Sequence, residues 1–169
     1  DSLSAMKLAE QNNCRFIRVN VLSGAMLTDQ GIIEGKAYEL LRLRKQLNSN
    51  VLILADVLVK HAVSIGNVDV IQVAKDTAYR GLADALIVTG SETGKEADLE
   101  RLKIVRRAVT DRPLFVGSGI NINNINKYFE IADGAIVGTG IKENNVTTNP
   151  ISTEVAEKLV GVLKKHDKY

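Results

Sequence analysis

The sequence predicts an α/β fold built from a parallel (β/α) repeat. Five short runs of apolar, β-prone residues recur along the chain, and they are nearly continuous rather than alternating, as in strands covered on both faces. Segments with a helical period separate these runs, which favours parallel strands joined by right-handed crossovers. No Ser-, Gly- or Pro-rich linker interrupts the 169 residues, so we expect one domain over residues 1–169.

The elements follow one another in a regular order. The runs that predict strands are residues 15–21, 51–59, 85–90, 113–119 and 134–140. Helical stripes predict helices over residues 70–78, 99–109 and 155–162, a less regular one over 33–47, and a short one up to residue 129 with Asn121 as its N-cap. Residues 23–31 lack clear periodicity and are predicted as a functional loop or lid.

Two architectures accept this repeat, an open doubly wound sheet and a (β/α)8 barrel. A barrel needs eight units, typically at least about 200 residues. Only five units are present, so the barrel requires that three be missing from this chain. The pattern alone leaves both architectures open.

Composition excludes several classes of function. The 22 basic and 20 acidic residues give a net charge of +2, and the chain has no Trp, which argues against a nucleic-acid partner. Cys14 is the single cysteine, so no intrachain disulfide is possible, and we expect a small buried thiol in a reducing compartment, the cytoplasm. No apolar run approaches the ~20 residues of a transmembrane helix, and residues 1–10 lack the pattern of a signal peptide.

Two Gly-hydroxyl-Gly motifs end the last two predicted strands. Glycines there let backbone N–H groups approach an anion closely, and the hydroxyls between them are further donors. In both architectures ligands bind at the carboxyl ends of the strands. The sequence therefore predicts a phosphate site, with tight strand-to-helix turns as the alternative. Its candidate residues are Gly117, Ser118, Gly119, Gly138 and Thr139.

Five other residues are candidates for chemistry. Arg18 and Asn20 share one face of the first strand, where Arg18 offers a fork for a carboxylate or a second phosphate; an arginine reaching the outer helices is the alternative. Asp56, Lys60 and His61 bring an acid, an amine and an imidazole to the end of the second strand, which suits acid–base or imine chemistry. A structural ion pair between Asp56 and Lys60 is the alternative.

Two further motifs are rejected. Residues 89–95 are one residue too short between their glycines for a P-loop, so a nucleoside triphosphatase is not predicted. The two histidines, His61 and His166, have no ligand-spaced partners, and no metal site is predicted.

Five segments together resemble the BtpA family, in order and spacing, over nearly the whole chain: "RFIRVNVLSGAMLTDQGIIEG", "ADVLVKHA", "ADALIVTGSETGK", "LFVGSGININNI" and "ADGAIVGTGIK". Members of that family look like barrels of the ribulose-phosphate-binding type and are longer at the N-terminus. The resemblance therefore implies a partial TIM barrel, about strands four to eight, that lacks its N-terminal part. The unpaired edges of such a sheet suggest pairing with upstream sequence or a homo-oligomer.

The resemblance leaves two functions open. The first is a barrel, an enzyme or a binding protein, for a phosphorylated small molecule, with flavin mononucleotide as one possible ligand; no cofactor is assigned. The second is an assembly factor that acts through protein partners, because the family is named for photosystem I biogenesis in cyanobacteria, where its members associate peripherally with thylakoid membranes.

Overall fold

Five parallel strands form the main sheet of the molecule. The computed structural model describes residues 1–29, 31–59, 62–66, 68–90 and 98–164. The strands lie in the order β1 (Phe16–Val19), β4 (Leu52–Asp56), β6 (Ala85–Thr89), β7 (Leu114–Gly117) and β8 (Gly134–Ile136). The helices are α1 (Ser2–Gln11), α2 (Ala37–Gln46), α3 (Val70–Lys75), α4 (Leu99–Ala108), α5 (Ile125–Phe129) and α6 (Thr153–Leu163).

The strand order distinguishes the two architectures that the sequence left open. Each strand of the main sheet pairs in parallel with the strand that follows it in this series, from β1 to β8. A doubly wound sheet would reverse its order at a switch point. This sheet does not reverse, and it curls into half of a barrel with helices between its strands. The predicted fold class is therefore confirmed.

The two faces of the sheet differ in what covers them. The outer face packs against the helices in one large core that includes Ile53, Leu86 and Val116. The inner face carries a small cluster around Leu54 and Ile87, and its Phe16 and Leu52 are about half exposed. The expectation that the strands are covered on both faces holds for β6, which is buried at all five positions, but not at Phe16 of β1 and Leu52 of β4.

A second, antiparallel sheet forms at the carboxyl ends of β1 and β4. Its strands are β2 (Ala25–Thr28), β3 (Gly31–Glu34) and β5 (Val63–Ser64), in the order β3, β2, β5. The segment 23–31, predicted as a functional loop or lid, therefore contains a strand, and the start of the predicted helix over 33–47 is wrong. Ile32 and Ile33 pair with β2 as β-branched strand residues, and the helix begins only at Ala37.

The start of the chain holds a helix that periodicity did not reveal. Helix α1 is capped by Asp1, whose carboxylate accepts from the Leu3 amide at 3.1 Å, and it buries Met6 and Ala9. Cys14 follows the helix and is exposed, so the expected buried thiol is wrong. It lies in the turn before β1, outside the core.

Two aspartates, here called the amino-end anchors, fix the starts of the strands. Asp84 precedes β6, and its Oδ2 accepts from the Ile53 amide at 2.7 Å and from Arg44 Nη1 of α2 at 2.6 Å. Asp133 precedes β8, and its Oδ2 accepts from the Leu114 amide at 2.8 Å and from the guanidinium of Arg106 on α4. The same device thus ties a helix and two neighbouring strands together twice.

Candidate functional site

The loop after β7 has an uncommon backbone at two of the predicted phosphate residues. Ser118 has φ of 70° and Gly119 has φ of 67°, both in the left-handed region. Such a conformation costs an L residue about 1–2 kcal/mol, so a serine there indicates a constraint stronger than local preference. Gly117 precedes it at the end of the strand, where an added Cβ would lie 3.3 Å from Cγ2 of Thr89.

Three asparagines hold this loop in place. The Asn124 amide donates to the Gly119 carbonyl at 2.8 Å, and its oxygen accepts from the Asn121 backbone N–H at 2.9 Å. The Asn121 side chain in turn accepts from the Asn123 N–H at 2.9 Å. Asn124 is only 6% exposed, so it locks the loop from within. Asn121 forms a turn rather than the N-cap, since α5 begins at Ile125 with Asn124 at the N-cap position.

Asn124 was missed by the reading of the sequence. Its place among alternating isoleucines and asparagines, residues 120–126, suggested only a helix start. The signal that could have found it is the run itself. Several asparagines directly after a glycine turn are the residues that hydrogen-bond to loop backbone.

The loops after β7 and β8 lie in direct backbone contact. A Cβ built on Gly140 would come within 2.1 Å of the Ile120 carbonyl oxygen, so only glycine fits there. Gly140 belongs to the 3₁₀ turn Thr139–Ile141, which directly follows Gly138. Thr139 Oγ1 lies 3.1 Å from Thr147 Oγ1. The space beside Gly138 is open, with nothing within 4 Å of an added Cβ. The two motifs therefore form one continuous rim.

Arg18 and Asp56 form a bidentate ion pair on the inner face. Arg18 Nε donates to Oδ2 at 3.1 Å and Nη2 donates to Oδ1 at 2.9 Å. The Asp56 side chain is fully buried, whereas that of Arg18 is 34% exposed. Two residues predicted separately for chemistry thus contact each other. This fork geometry fixes both groups, and it occupies two of the five guanidinium donors.

Of the three remaining candidates for chemistry, the structure describes Asn20 but not Lys60 or His61. Asn20 is exposed beyond the end of β1, beside the groove that Arg18 lines. Lys60 and His61 lie outside the described residues, as do residues 91–95 of the rejected P-loop segment. Thr89 ends β6, is 2% exposed, and its Oγ1 has no hydrogen-bond partner among the described residues.

The described part of the chain holds neither a cluster of metal-ligand side chains nor a membrane-spanning helix. Within the described ranges, no group of three or more His, Cys, Asp and Glu side chains is arranged to hold a metal ion. None of the helices traced there combines the length and apolar character needed to span a membrane.

A curled half-barrel of parallel strands whose carboxyl-end loops carry the candidate residues defines a (β/α)-barrel-type protein. The chain belongs to the BtpA family, whose model matches residues 1–165. It is 48% identical to an uncharacterised protein of Methanocaldococcus jannaschii over 98% of this chain and 62% of that protein. It is also 48% identical to one of Pyrococcus furiosus over 95% of this chain and 60% of that protein.

A cyanobacterial relative is named for its function. The photosystem I biogenesis protein BtpA of Synechocystis is 46% identical over 89% of this chain and 54% of its own length. The chain thus spans about three fifths of the length of the curated relatives it matches, somewhat less for the cyanobacterial one.

Proposed function

We propose that the protein binds a phosphorylated small molecule at the carboxyl ends of its strands. The observation that carries this proposal is the contact between the two Gly-hydroxyl-Gly loops, with Ser118 held in a left-handed conformation beside Gly119. Loops after two neighbouring strands are the usual place for a phosphate in barrels of this type. Gly117, Ser118, Gly119, Gly138 and Thr139 would surround the phosphate.

Within this proposal the Arg18–Asp56 pair faces the part of the ligand that reacts. Asp56 orients Arg18 through two hydrogen bonds, so that the three remaining guanidinium donors are free to bind an anionic or carbonyl oxygen. Asn20 adds an amide nearby, and Lys60 and His61 remain candidates from the sequence. The proposal places the protein in the cytoplasm as a single barrel domain completed by the sequence that its longer relatives contain.

The test is the affinity of the full-length protein for ribose 5-phosphate and inorganic phosphate, measured by calorimetry. Gly138→Asp puts a carboxylate into the open space of the rim, and repulsion should weaken both affinities about tenfold or more. Gly161→Asp is the matched control, because nothing lies within 4 Å of a Cβ there either and the residue is on α6. Unchanged affinity in Gly138→Asp, or an equal loss in both variants, would overturn the proposal.

A second function rests on a relative rather than on the site. The 46% identity to the photosystem I biogenesis protein of Synechocystis favours an assembly factor that acts through protein partners, with any membrane association peripheral. A Synechocystis strain lacking its own protein separates the two functions. If the Gly138→Asp variant restores photosystem I content as well as the unchanged full-length protein does, assembly does not depend on the rim.

A further inference from the structure

A cavity of about 260 Å³ lies between the main sheet and the small antiparallel sheet. Its floor is formed where β1 and β4 end, near Asn20 and Asp56. Its roof is the small sheet, in which Met26 of β2 is paired with Ser64 of β5. The loops that follow two neighbouring strands have therefore combined to cover the carboxyl ends of those strands.

Three hydroxyl groups in the cavity wall have only weak partners among the described residues. Thr77 is 2% exposed, and its Oγ1 contacts only Ser23 Oγ, at 3.4 Å. Ser64 Oγ contacts the Met26 sulfur at 3.4 Å, and a thioether is a weak acceptor. Buried hydroxyls are normally well paired. These hydroxyls therefore keep hydrogen-bonding capacity for a group that enters the cavity.

Two backbone irregularities border the same cavity. Helix α3 continues into a π-helical turn, Asp76–Arg80, and this turn carries Thr77. Single π-turns occur frequently at functional sites. Leu58, also in the wall, has φ of 57° without being glycine. The Tyr79 hydroxyl donates to Asp111 at 2.7 Å and fixes the turn from outside; this bond lowers the pKa of Asp111 and raises that of Tyr79.

The described part of the cavity wall has few charged side chains that could bind a ligand. Among its described residues Asp56 is the one charged side chain, and Arg18 already neutralises it. Most of the remaining surface is apolar, contributed by residues such as Leu22, Met26 and Val73. Pockets for whole ligands usually measure about 300–1,000 Å³. The cavity therefore suits an uncharged ring with polar edge atoms, as one part of a larger molecule.

We infer that the ligand is a phosphate monoester that carries an uncharged heteroaromatic ring, with that ring in this cavity and the phosphate on the glycine rim. The inference rests on the proposed function for its phosphate end. Asp56 is on β4 and Gly117 on β7, two strand positions apart. At about 4.8 Å per strand, this separation is about 10 Å, the length of a mononucleotide rather than of a triose phosphate.

The experiment compares phosphates that carry a heteroaromatic ring with one that carries only a sugar, on the full-length protein. Calorimetry would use flavin mononucleotide, adenosine 5′-monophosphate, uridine 5′-monophosphate and ribose 5-phosphate. It would also use riboflavin, adenosine and uridine, the unphosphorylated forms of the first three. Burial of a ring should make at least one mononucleotide bind about tenfold or more tightly than ribose 5-phosphate. Ser64→Leu fills the cavity and should remove that difference without changing the affinity for ribose 5-phosphate.

Val63→Leu is the matched control. Val63 precedes Ser64 on β5, is 69% exposed, and does not line the cavity, so its replacement should preserve the preference. Equal affinities for every mononucleotide and ribose 5-phosphate, or an equal loss of both classes in Ser64→Leu, would overturn the inference. A further result separates the inference from the proposed function. If an unphosphorylated form binds, Ser64→Leu abolishes that binding, and the phosphate adds no affinity, then the cavity binds the ring but the proposed phosphate site is wrong. Binding of none of these probes would overturn both.

Discussion

The two ends of the main sheet are built in opposite ways. At the amino ends, each anchor aspartate accepts from a backbone amide and from an arginine of a preceding helix, and the device is repeated almost unchanged at Asp84 and Asp133. At the carboxyl ends, Ser118 has a left-handed backbone and Thr89 has a hydroxyl without a partner among the described residues. In barrels the first end serves stability and the second serves function. The repeated, hydrogen-bonded contacts therefore lie at the amino ends of these strands, and the strained or unpaired groups lie at their carboxyl ends.

The Arg18–Asp56 pair breaks this division, because it is a bidentate ion pair with regular geometry at the carboxyl end. It should also give the largest effect on stability. Arg18→Leu leaves the buried Asp56 carboxylate without its guanidinium and should lower the free energy of unfolding by about 3 kcal/mol, at the low end of the range for a buried pair because Arg18 is one-third exposed. Urea denaturation measures this loss.

The double variant Arg18→Leu with Asp56→Leu is the control for that prediction. Removing both charges and leaving apolar side chains should recover most of the lost stability. A loss below about 1 kcal/mol in the single variant, or no recovery in the double variant, would mean that other groups stabilise Asp56. The contact with Arg18 would then not be what stabilises this end of the sheet.

The sequence predicted the main sheet well and the site only in part. All five strands of the main sheet lie within the predicted runs. This is because a buried parallel strand has a nearly continuous run of apolar residues. The hairpin of β2 and β3 was missed because its four-residue strands do not alternate between buried and exposed positions, so they carry no clear strand period. The Arg18–Asp56 contact was missed because the two residues are 38 positions apart in the chain. The pair of Asp56 with Lys60 that local spacing suggested stays a prediction, since Lys60 lies outside the described residues.

The anchors give the second prediction. Asp84→Ala and Asp133→Ala each leave a strand amide without its acceptor, at Ile53 and Leu114, and should cost about 1–3 kcal/mol of unfolding free energy. Because the device is the same, the two losses should be similar, and the affinity for ribose 5-phosphate should not change. Glu154→Ala is the control: its pair with Lys158 is on the surface of α6, so its loss should leave the free energy of unfolding unchanged within the error of the measurement.

Either outcome for the anchors sharpens the comparison. Urea denaturation and calorimetry on the same samples give stability and affinity together. If one anchor variant weakens ribose 5-phosphate binding while the other does not, the amino ends are not a purely structural layer. The strained rim would then depend on contacts at the opposite end of its own strand.

Ser118→Gly should have the smallest effect on stability and the most specific effect on binding. Glycine relieves about 1 kcal/mol of left-handed strain and costs a similar amount in backbone entropy, so the unfolding free energy should change by less than about 1 kcal/mol. Loss of the hydroxyl should weaken phosphate binding about tenfold, since a hydrogen bond to a charged group contributes about 1.5–3 kcal/mol. Asn13→Gly is the control, because Asn13 also has a positive φ, 54°, but follows α1, away from the rim. If Ser118→Gly binds phosphate as tightly as the unchanged protein, the strained backbone at Ser118 does not serve binding. An equal fall in affinity in Asn13→Gly would show that the effect is not local to the rim.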